Sequence, residues 1–259
     1  MDRDTAERAA RTLWESHRRG DSYANLTGAL RPAGIDEAYR IQDAFHDLAR
    51  PVNGPIAGWK IATTTAVMQQ LMGIDRPCAG AIFAKTVHRS PARLRAADHV
   101  SLKIECELAF RLGADLPAAA APFTAESVAA AVAAVMPAFE LVDDRRAVYK
   151  ETEALSLIAD NCWNQGVVLG APQPLPATAG LAALRGRLEV AGRPPVEGGA
   201  DGPLRALAWV ANLVTGRGGT IRAGMIVMTG SLVPTAPIAA GETAIFTVDG
   251  LGSARLEVV

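Results

Sequence analysis

The segment Ile104-Glu105-Cys106-Glu107-Leu108 sets two carboxylates two positions apart inside an apolar run. Side chains of a strand alternate between its faces, so Glu105 and Glu107 share one face while Ile104, Cys106 and Leu108 share the other. On a solvent-facing strand such a pair would need no partner, since charged residues are mostly exposed. A third acid, Glu140, changes that reading. It sits in Ala138-Phe139-Glu140-Leu141-Val142, where a carboxylate among large hydrophobes is costly unless it is paired or bound to a cation. Three acids on adjacent strands repel one another, and the ordinary remedies are raised pKa values or a divalent ion. An all-oxygen set selects a hard cation, Mg²⁺ or Mn²⁺, and three carboxylates leave positions open for water and substrate. Lys60, in Trp59-Lys60-Ile61, is the companion group. Pointing inward from an apolar strand it can hold a substrate carboxylate or transfer a proton, whereas at a strand edge it would reach water.

These side chains need elements to position them. Ala6, Ala9, Ala10, Leu13 and Trp14 predict a helix from Thr5 to Arg19 stopped by Gly20, and the stripe from Ile35 through Tyr39, Gln42 and Phe45 to Leu48 predicts a second, ended by Pro51. A short strand is expected at Gly58–Ala62, one or two helical turns at Ala66–Met72 stopped by Gly73, and an alternating strand at Val100–Phe110. Thr124 can cap a helix running through Val128, Val132 and Val135 to Pro137, with a strand at Ala138–Val142 after it. Ile158-Ala159-Asp160-Asn161 reads as a turn or short helix leading into a buried strand around Val167 and Val168. Further on, a strand at Arg187–Val190, helical spacing over Leu204–Val214, and strands at Met225–Thr229, Thr243–Val248 and Ala254–Val258 suggest a sheet that curls or packs on itself.

Composition removes several classes of function. With 259 residues, 49% hydrophobic and 20% charged, the chain can bury a sizeable core, which excludes disorder and collagen. The 26 Lys+Arg against 27 Asp+Glu leave no excess charge for a nucleic acid or an anionic membrane. No apolar run approaches a membrane span, and Met1-Asp2-Arg3-Asp4 is unlike a signal peptide, so a cytoplasmic protein is expected. Cys78, Cys106 and Cys162 have no Cys-x-x-Cys spacing and read as reduced thiols. His17, His46, His88 and His99 lack ligand spacing, and His17 and His46 are expected on surface helices.

Taken in order, Gly58-Trp59-Lys60-Ile61, Gln69 to Gly73, Ile104 to Phe110, Met136 to Asp143, Ile158-Ala159-Asp160-Asn161, Met228-Thr229-Gly230 and Gly250-Leu251-Gly252-Ser253 resemble the 2-keto-4-pentenoate hydratase/4-oxalocrotonate decarboxylase family of the fumarylacetoacetate hydrolase superfamily. The resemblance runs from the Tyr39-Arg40-Ile41-Gln42 helix to the C-terminus. It implies an α+β fold, a mixed, curled, barrel-like sheet with flanking helices, formed by one domain over 1–259 whose first 55 residues are mainly helical, and a homo-oligomer. It implies a divalent metal on Glu105, Glu107 and Glu140, and Lys60 as the active-site lysine, with Asp160 assisting catalysis. Asn161, Trp163 and Cys78 fall at substrate-binding positions. Two of these depart from the family pattern, which often has Pro-Asp where this chain has Pro77-Cys78, and Ala-Ser where it has Cys162-Trp163. The Thr/Ser-x-Arg-Asp segment of the superfamily's hydrolases is absent after Asp143, which favours the hydratase/decarboxylase branch. The implied reaction is metal-dependent addition of water to a 2-hydroxy-2,4-dienoate, giving a 4-hydroxy-2-oxo acid in aromatic meta-cleavage catabolism. The alternatives are decarboxylation of a 2-oxo-3-enedioate, or a non-catalytic paralogue that binds a 2-oxo acid.

Overall fold

A computed structural model describes residues 1–259 apart from the side chains of Thr178 and Ala179. The chain opens with helices α1 (Arg3–Arg19) and α2 (Ile35–Asn53), followed by strand β1 (Ile56–Ala62), helix α3 (Ala66–Met72) and strands β2 (Cys78–Phe83), β3 (Val87–Arg89), β4 (Ala92–Leu94) and β5 (Leu102–Leu112). Helix α4 (Ala125–Ala129), β6 (Val132–Asp143), α5 (Ala154–Ala159), β7 (Asn164–Leu169), α6 (Thr178–Leu181), β8 (Arg185–Val190), β9 (Val196–Gly199) and α7 (Pro203–Gly216) come next. The C-terminal part holds β10 (Ile226–Ser231), β11 (Ala236–Pro237), β12 (Thr243–Val248) and β13 (Gly252–Val258). None of the described helices is long and apolar enough to cross a membrane.

The strands form two sheets. The larger has the order β2-β1-β10-β5-β6-β7-β3, with β11 added beside β5, and the smaller runs β4-β13-β12-β8-β9. Phe139 of the first meets Phe246 of the second at 6.1 Å between ring centroids, inside one apolar core to which α7 contributes Leu207, Val210 and Ala211. The α+β class with a curled sheet and flanking helices is therefore what the chain adopts.

How far the large sheet curls can be judged from one pair. Lys60 on β1 and Glu140 on β6 are separated by β10 and β5, three interstrand steps or roughly 14 Å along a flat sheet, yet Lys60 Nζ lies 2.9 Å from Glu140 Oε1. Curling also brings β2 back towards the start of β7, although no ladder joins them among the described residues. Side chains close the gap instead. Asn161 accepts from Ala81 N at 2.7 Å and donates to Ala81 O at 2.9 Å, as a strand neighbour would. Helix α2 serves the same open edge, with the Tyr39 hydroxyl accepting from Ala79 N and Gln42 donating to Ala79 O. Unpaired backbone groups of an edge strand are thereby satisfied rather than buried bare.

Local differences from the sequence reading have physical reasons. Helix α2 runs through Pro51 to Asn53 before Gly54 stops it, because a proline in the last turn interrupts little of the ladder. The helix expected to reach Pro137 ends at Ala129, and the valines from Val132 onward join β6, where they pair with β5 from Leu112 to Leu102. Pro137 is tolerated inside that strand because its carbonyl faces Gly170, which donates to it at 2.8 Å just beyond the last β6–β7 pair, so its missing N–H falls where the ladder ends. His46 is buried rather than on a surface face; its Nε2 bonds Asn161 Oδ1 at 2.8 Å, and burial pulls its pKa down to about 4, leaving the ring neutral at pH 7.

Gly80 on β2 permits this closure, since a Cβ there would stand 2.5 Å from the carbonyl oxygen of Asn161. Overpacking of this kind costs about 1–3 kcal/mol. Gly80→Ala should lower the urea unfolding free energy by that amount; an unchanged value would show that the β2 edge and the Asn161 turn are not in contact.

Candidate active site

Register fixes the acid cluster. Glu105 pairs directly with Glu140 across β5 and β6, and Glu107, two residues along β5, points to the same face. One carboxylate oxygen from each of the three lies within 4.8 Å of the others. Glu107 and Glu140 are fully buried and Glu105 is half-buried. Each has one oxygen tied by the protein: Gly230 N donates to Glu107 Oε2 at 2.8 Å, Asn164 Nδ2 to Glu140 Oε1 at 3.0 Å, and Thr235 Oγ1 to Glu105 Oε1 at 2.6 Å.

The opposite oxygens of the two buried acids, Glu107 Oε1 and Glu140 Oε2, have no hydrogen-bond partner. Burial, and then the charge of Glu140 and Glu105, push the Glu107 pKa well above the carboxylate range. Burial raises Glu140 to about 7 despite the nearby Lys60 ammonium. Orphaned acceptors in a dry site disfavour the ionised form unless a cation meets them. The arrangement fits a hard divalent cation: oxygen donors alone, one more exposed ligand, and two buried oxygens without a partner. Lys60 is buried beside them; burial opposes its charge, but Glu140, Cys162 and Glu105 together outweigh that and hold its pKa above the lysine range.

A cavity of about 670 Å³ reaches this cluster at Glu105 and Lys60. Lys60, Glu105, Thr63, Lys103 and Ser231 contribute to its lining, as do Met68, Met72, Leu157, Cys162, Trp163 and Val233. Trp163 thus borders the cavity, with its indole N–H buried and without an acceptor. Cys78 stands behind that wall, with its Sγ 3.6 Å from Cys162 Sγ and 3.4 Å from Thr63 Oγ1. The hydrogen bond from Cys162 draws the Cys78 pKa down.

Asp160 and Asn161 lie outside the cavity lining. Asn161 closes the β2 edge, as described above. Asp160 is buried between His17, at 2.6 Å, and Arg145, at 2.5 Å. Burial works against its ionised form, but His17 and Arg145 prevail and hold its carboxyl below the usual range. Both residues anchor a turn in which Asn161, Cys162 and Trp163 all have left-handed φ, 53°, 49° and 60°. Such conformations cost of order 1–3 kcal/mol each and persist only where the surroundings over-determine them. Sequence reasoning placed His17 on the surface and assigned nothing to Arg145 or Asn164. Their partners are 143, 15 and 24 residues away in the chain, beyond the reach of periodicity.

Comparison with known proteins decides the family. Residues 64–259 match the model of the fumarylacetoacetate (FAA) hydrolase C-terminal family. The chain belongs to the fumarylacetoacetate hydrolase superfamily. Within it the chain is 31% identical over 258 residues to 2-keto-4-pentenoate hydratase from Burkholderia vietnamiensis (strain G4 / LMG 22486), covering 98% of this chain and 97% of that protein, which places it in the 2-keto-4-pentenoate hydratase/4-oxalocrotonate decarboxylase family. It is 29% identical over 262 residues to 2-hydroxyhexa-2,4-dienoate hydratase from Comamonas testosteroni, covering 99% and 98%. Among solved structures, this superfamily member has the fold of 4-oxalocrotonate decarboxylase from Pseudomonas putida G7, complexed with magnesium and adipate, at a TM-score of 0.91 and 22% identity over 100% of this chain and 99% of that one.

Glu107→Gln isolates the cation requirement. The metal-free variant loses a buried carboxyl whose ionisation burial and its neighbours already oppose, and should melt at or above the wild-type temperature. In the wild type, Mg²⁺ at a hundredfold excess over Kd should add about 2.7 kcal/mol of stability; Glu107→Gln should lose most of that gain in a thermal-shift titration. An equal Mg²⁺ response in both proteins would place the cation elsewhere.

Proposed function

We propose that this chain is a divalent-metal-dependent hydro-lyase that adds water to a 2-hydroxy-2,4-dienoate to give a 4-hydroxy-2-oxo acid, in the breakdown of aromatic ring-cleavage products. The observation that carries the reading is the triplet Glu105, Glu107 and Glu140, with two orphaned buried oxygens, beside Lys60 where Glu105 and Lys60 border a roomy cavity. Hydratases similar over nearly the whole chain support the substrate class. The family resemblance implies a homo-oligomer, and the sequence reading adds a cytoplasmic location and residues 1–55 as part of the same unit; His17 on Asp160 and Ser16 on Arg145 agree with the last.

The three glutamates would hold Mg²⁺ or Mn²⁺. Such a cation, when bound, supplies positive charge opposite the oxygen at C2, where negative charge develops as the dienol ketonises. Lys60, kept protonated by Glu140, binds the 1-carboxylate or delivers the proton to C5 as the C2 hydroxyl proton is lost, leaving a 2-oxo-3-enoate. Water then adds its oxygen at C4 and a proton at C3. Asp160 and Asn161 act through the turn they hold, which sets Cys162 and Trp163 against the substrate, and Cys78 acts through Cys162. Asn164 orients Glu140.

Decarboxylation of an enedioate is the second reading, for which the shared fold speaks. Against it, both lysines lining the cavity are already paired, Lys60 with Glu140 and Lys103 with Asp144, so no free cation awaits a second carboxylate among the described lining residues.

Freshly generated 2-hydroxypenta-2,4-dienoate mixed with protein and Mg²⁺ should lose its dienoate absorbance and yield 4-hydroxy-2-oxopentanoate, and EDTA should stop the reaction. Lys60→Met should lower kcat by roughly 10²–10⁴ while keeping the Mg²⁺ thermal shift. No hydration, together with CO₂ release from a 2-oxo-3-enedioate, would overturn the hydratase reading.

A further inference from the structure

The cavity beside Lys60 has two unlike halves. One carries Lys60 and Glu105, the more exposed member of the acid cluster. The other is walled by Met68 and Met72 of α3, Leu157 of α5 and Trp163, which belong to one apolar cluster, and faces Val233 from the main core. Trp163 is a fixed part of this wall, since Tyr23 and Tyr149 pack edge-on against its indole at 5.1 and 5.5 Å between centroids. The volume of about 670 Å³ is that of a pocket for a drug-sized ligand, within the roughly 300–1,000 Å³ such sites span. The short pentadienoate would leave the apolar half without contacts.

Charge sharpens the point. Among the described lining residues the cations are Lys60 and Lys103. Lys60 is engaged by Glu140, while Lys103 is held by the buried carboxylate of Asp144 and lies 5.0 Å above the Tyr149 ring. A carboxylate at the far end of a substrate would be desolvated against methionine, leucine and tryptophan with no free cation to receive it.

We propose that the preferred substrate carries a bulky apolar, aryl or long alkyl, tail on the carbon chain beyond its 2-oxo or 2-hydroxydienoate head, and that Met68, Met72, Leu157, Trp163 and Val233 select this tail. The inference rests on the reading of the acid half as the site of such a head group. It adds which end groups are accepted and which refused.

The test is calorimetric binding to the Mg²⁺-loaded full chain, which does not depend on turnover. The probes are 2-oxopentanoate, 6-phenyl-2-oxohexanoate and 2-oxohexanedioate. The phenyl acid should bind roughly tenfold or more tightly than 2-oxopentanoate, the gain expected from burying an aromatic group, and the dicarboxylate should bind more weakly than the phenyl acid by a larger factor. Met68→Lys, at a half-buried position on α3 where folding is least at risk, sets a cation in the wall and should narrow or invert the phenyl-to-dicarboxylate ratio. Equal binding of the short and phenyl acids, or tighter binding of the dicarboxylate by the wild type, overturns the proposal, as does a ratio unmoved by Met68→Lys. Hydration of pentadienoate without any tail preference would leave the activity standing and sink this inference. Tail preference in binding without hydration would do the reverse.

Discussion

Two carboxylates face each other in the dry interior of a curled sheet, and much of the surrounding structure answers that fact. Glu107 and Glu140 bring like charge into a region of low dielectric where neither is fully solvated by the protein. Each keeps one oxygen occupied, by Gly230 N and by Asn164 with Lys60 respectively. The remaining oxygens define a binding direction. An ion pair so buried is poor evidence of stability by itself, because desolvation consumes most of the Coulombic gain. The arrangement fits the proposed cation site, with stability supplied by the apolar core between the two sheets.

Curvature is the second requirement. Lys60 reaches Glu140 across two intervening strands only because the sheet bends back on itself. The bend leaves the β2 edge open, and Asn161, Tyr39 and Gln42 satisfy its backbone groups one by one. The same closure fixes the strained turn that delivers Cys162 and Trp163 to the cavity. Asp160, held by His17 and Arg145, ties that turn to the N-terminal helix. The helical N-terminal segment thus shapes the site without touching the cavity.

Much of this was legible in the sequence. Alternation in Ile104–Leu108 put Glu105 and Glu107 on one face, and an acid among hydrophobes singled out Glu140 and its need of a partner. The ordered motifs supplied the family and fold. What periodicity could not supply was long-range pairing. Nothing local says that β10 lies between β1 and β5, that Asn164 serves Glu140, or that half-buried His17 and buried His46 have side-chain partners 143 and 115 residues away. The left-handed run at Asn161–Trp163 contains no glycine to announce it; the glycine that permits it is Gly80, on another strand. The valines after Ala129 fit a helix as readily as a strand by spacing, and only the long ladder with β5 decides between them.

The central claim is that the three glutamates form one cation site next to Lys60. The most direct measurement is an anomalous-difference map from crystals of the protein soaked in Mn²⁺. The account predicts a peak about 2.0–2.3 Å from carboxylate oxygens of Glu105, Glu107 and Glu140, on the side of the two oxygens the protein leaves free. Absence of a peak there at millimolar Mn²⁺, or a peak on other ligands, would contradict it.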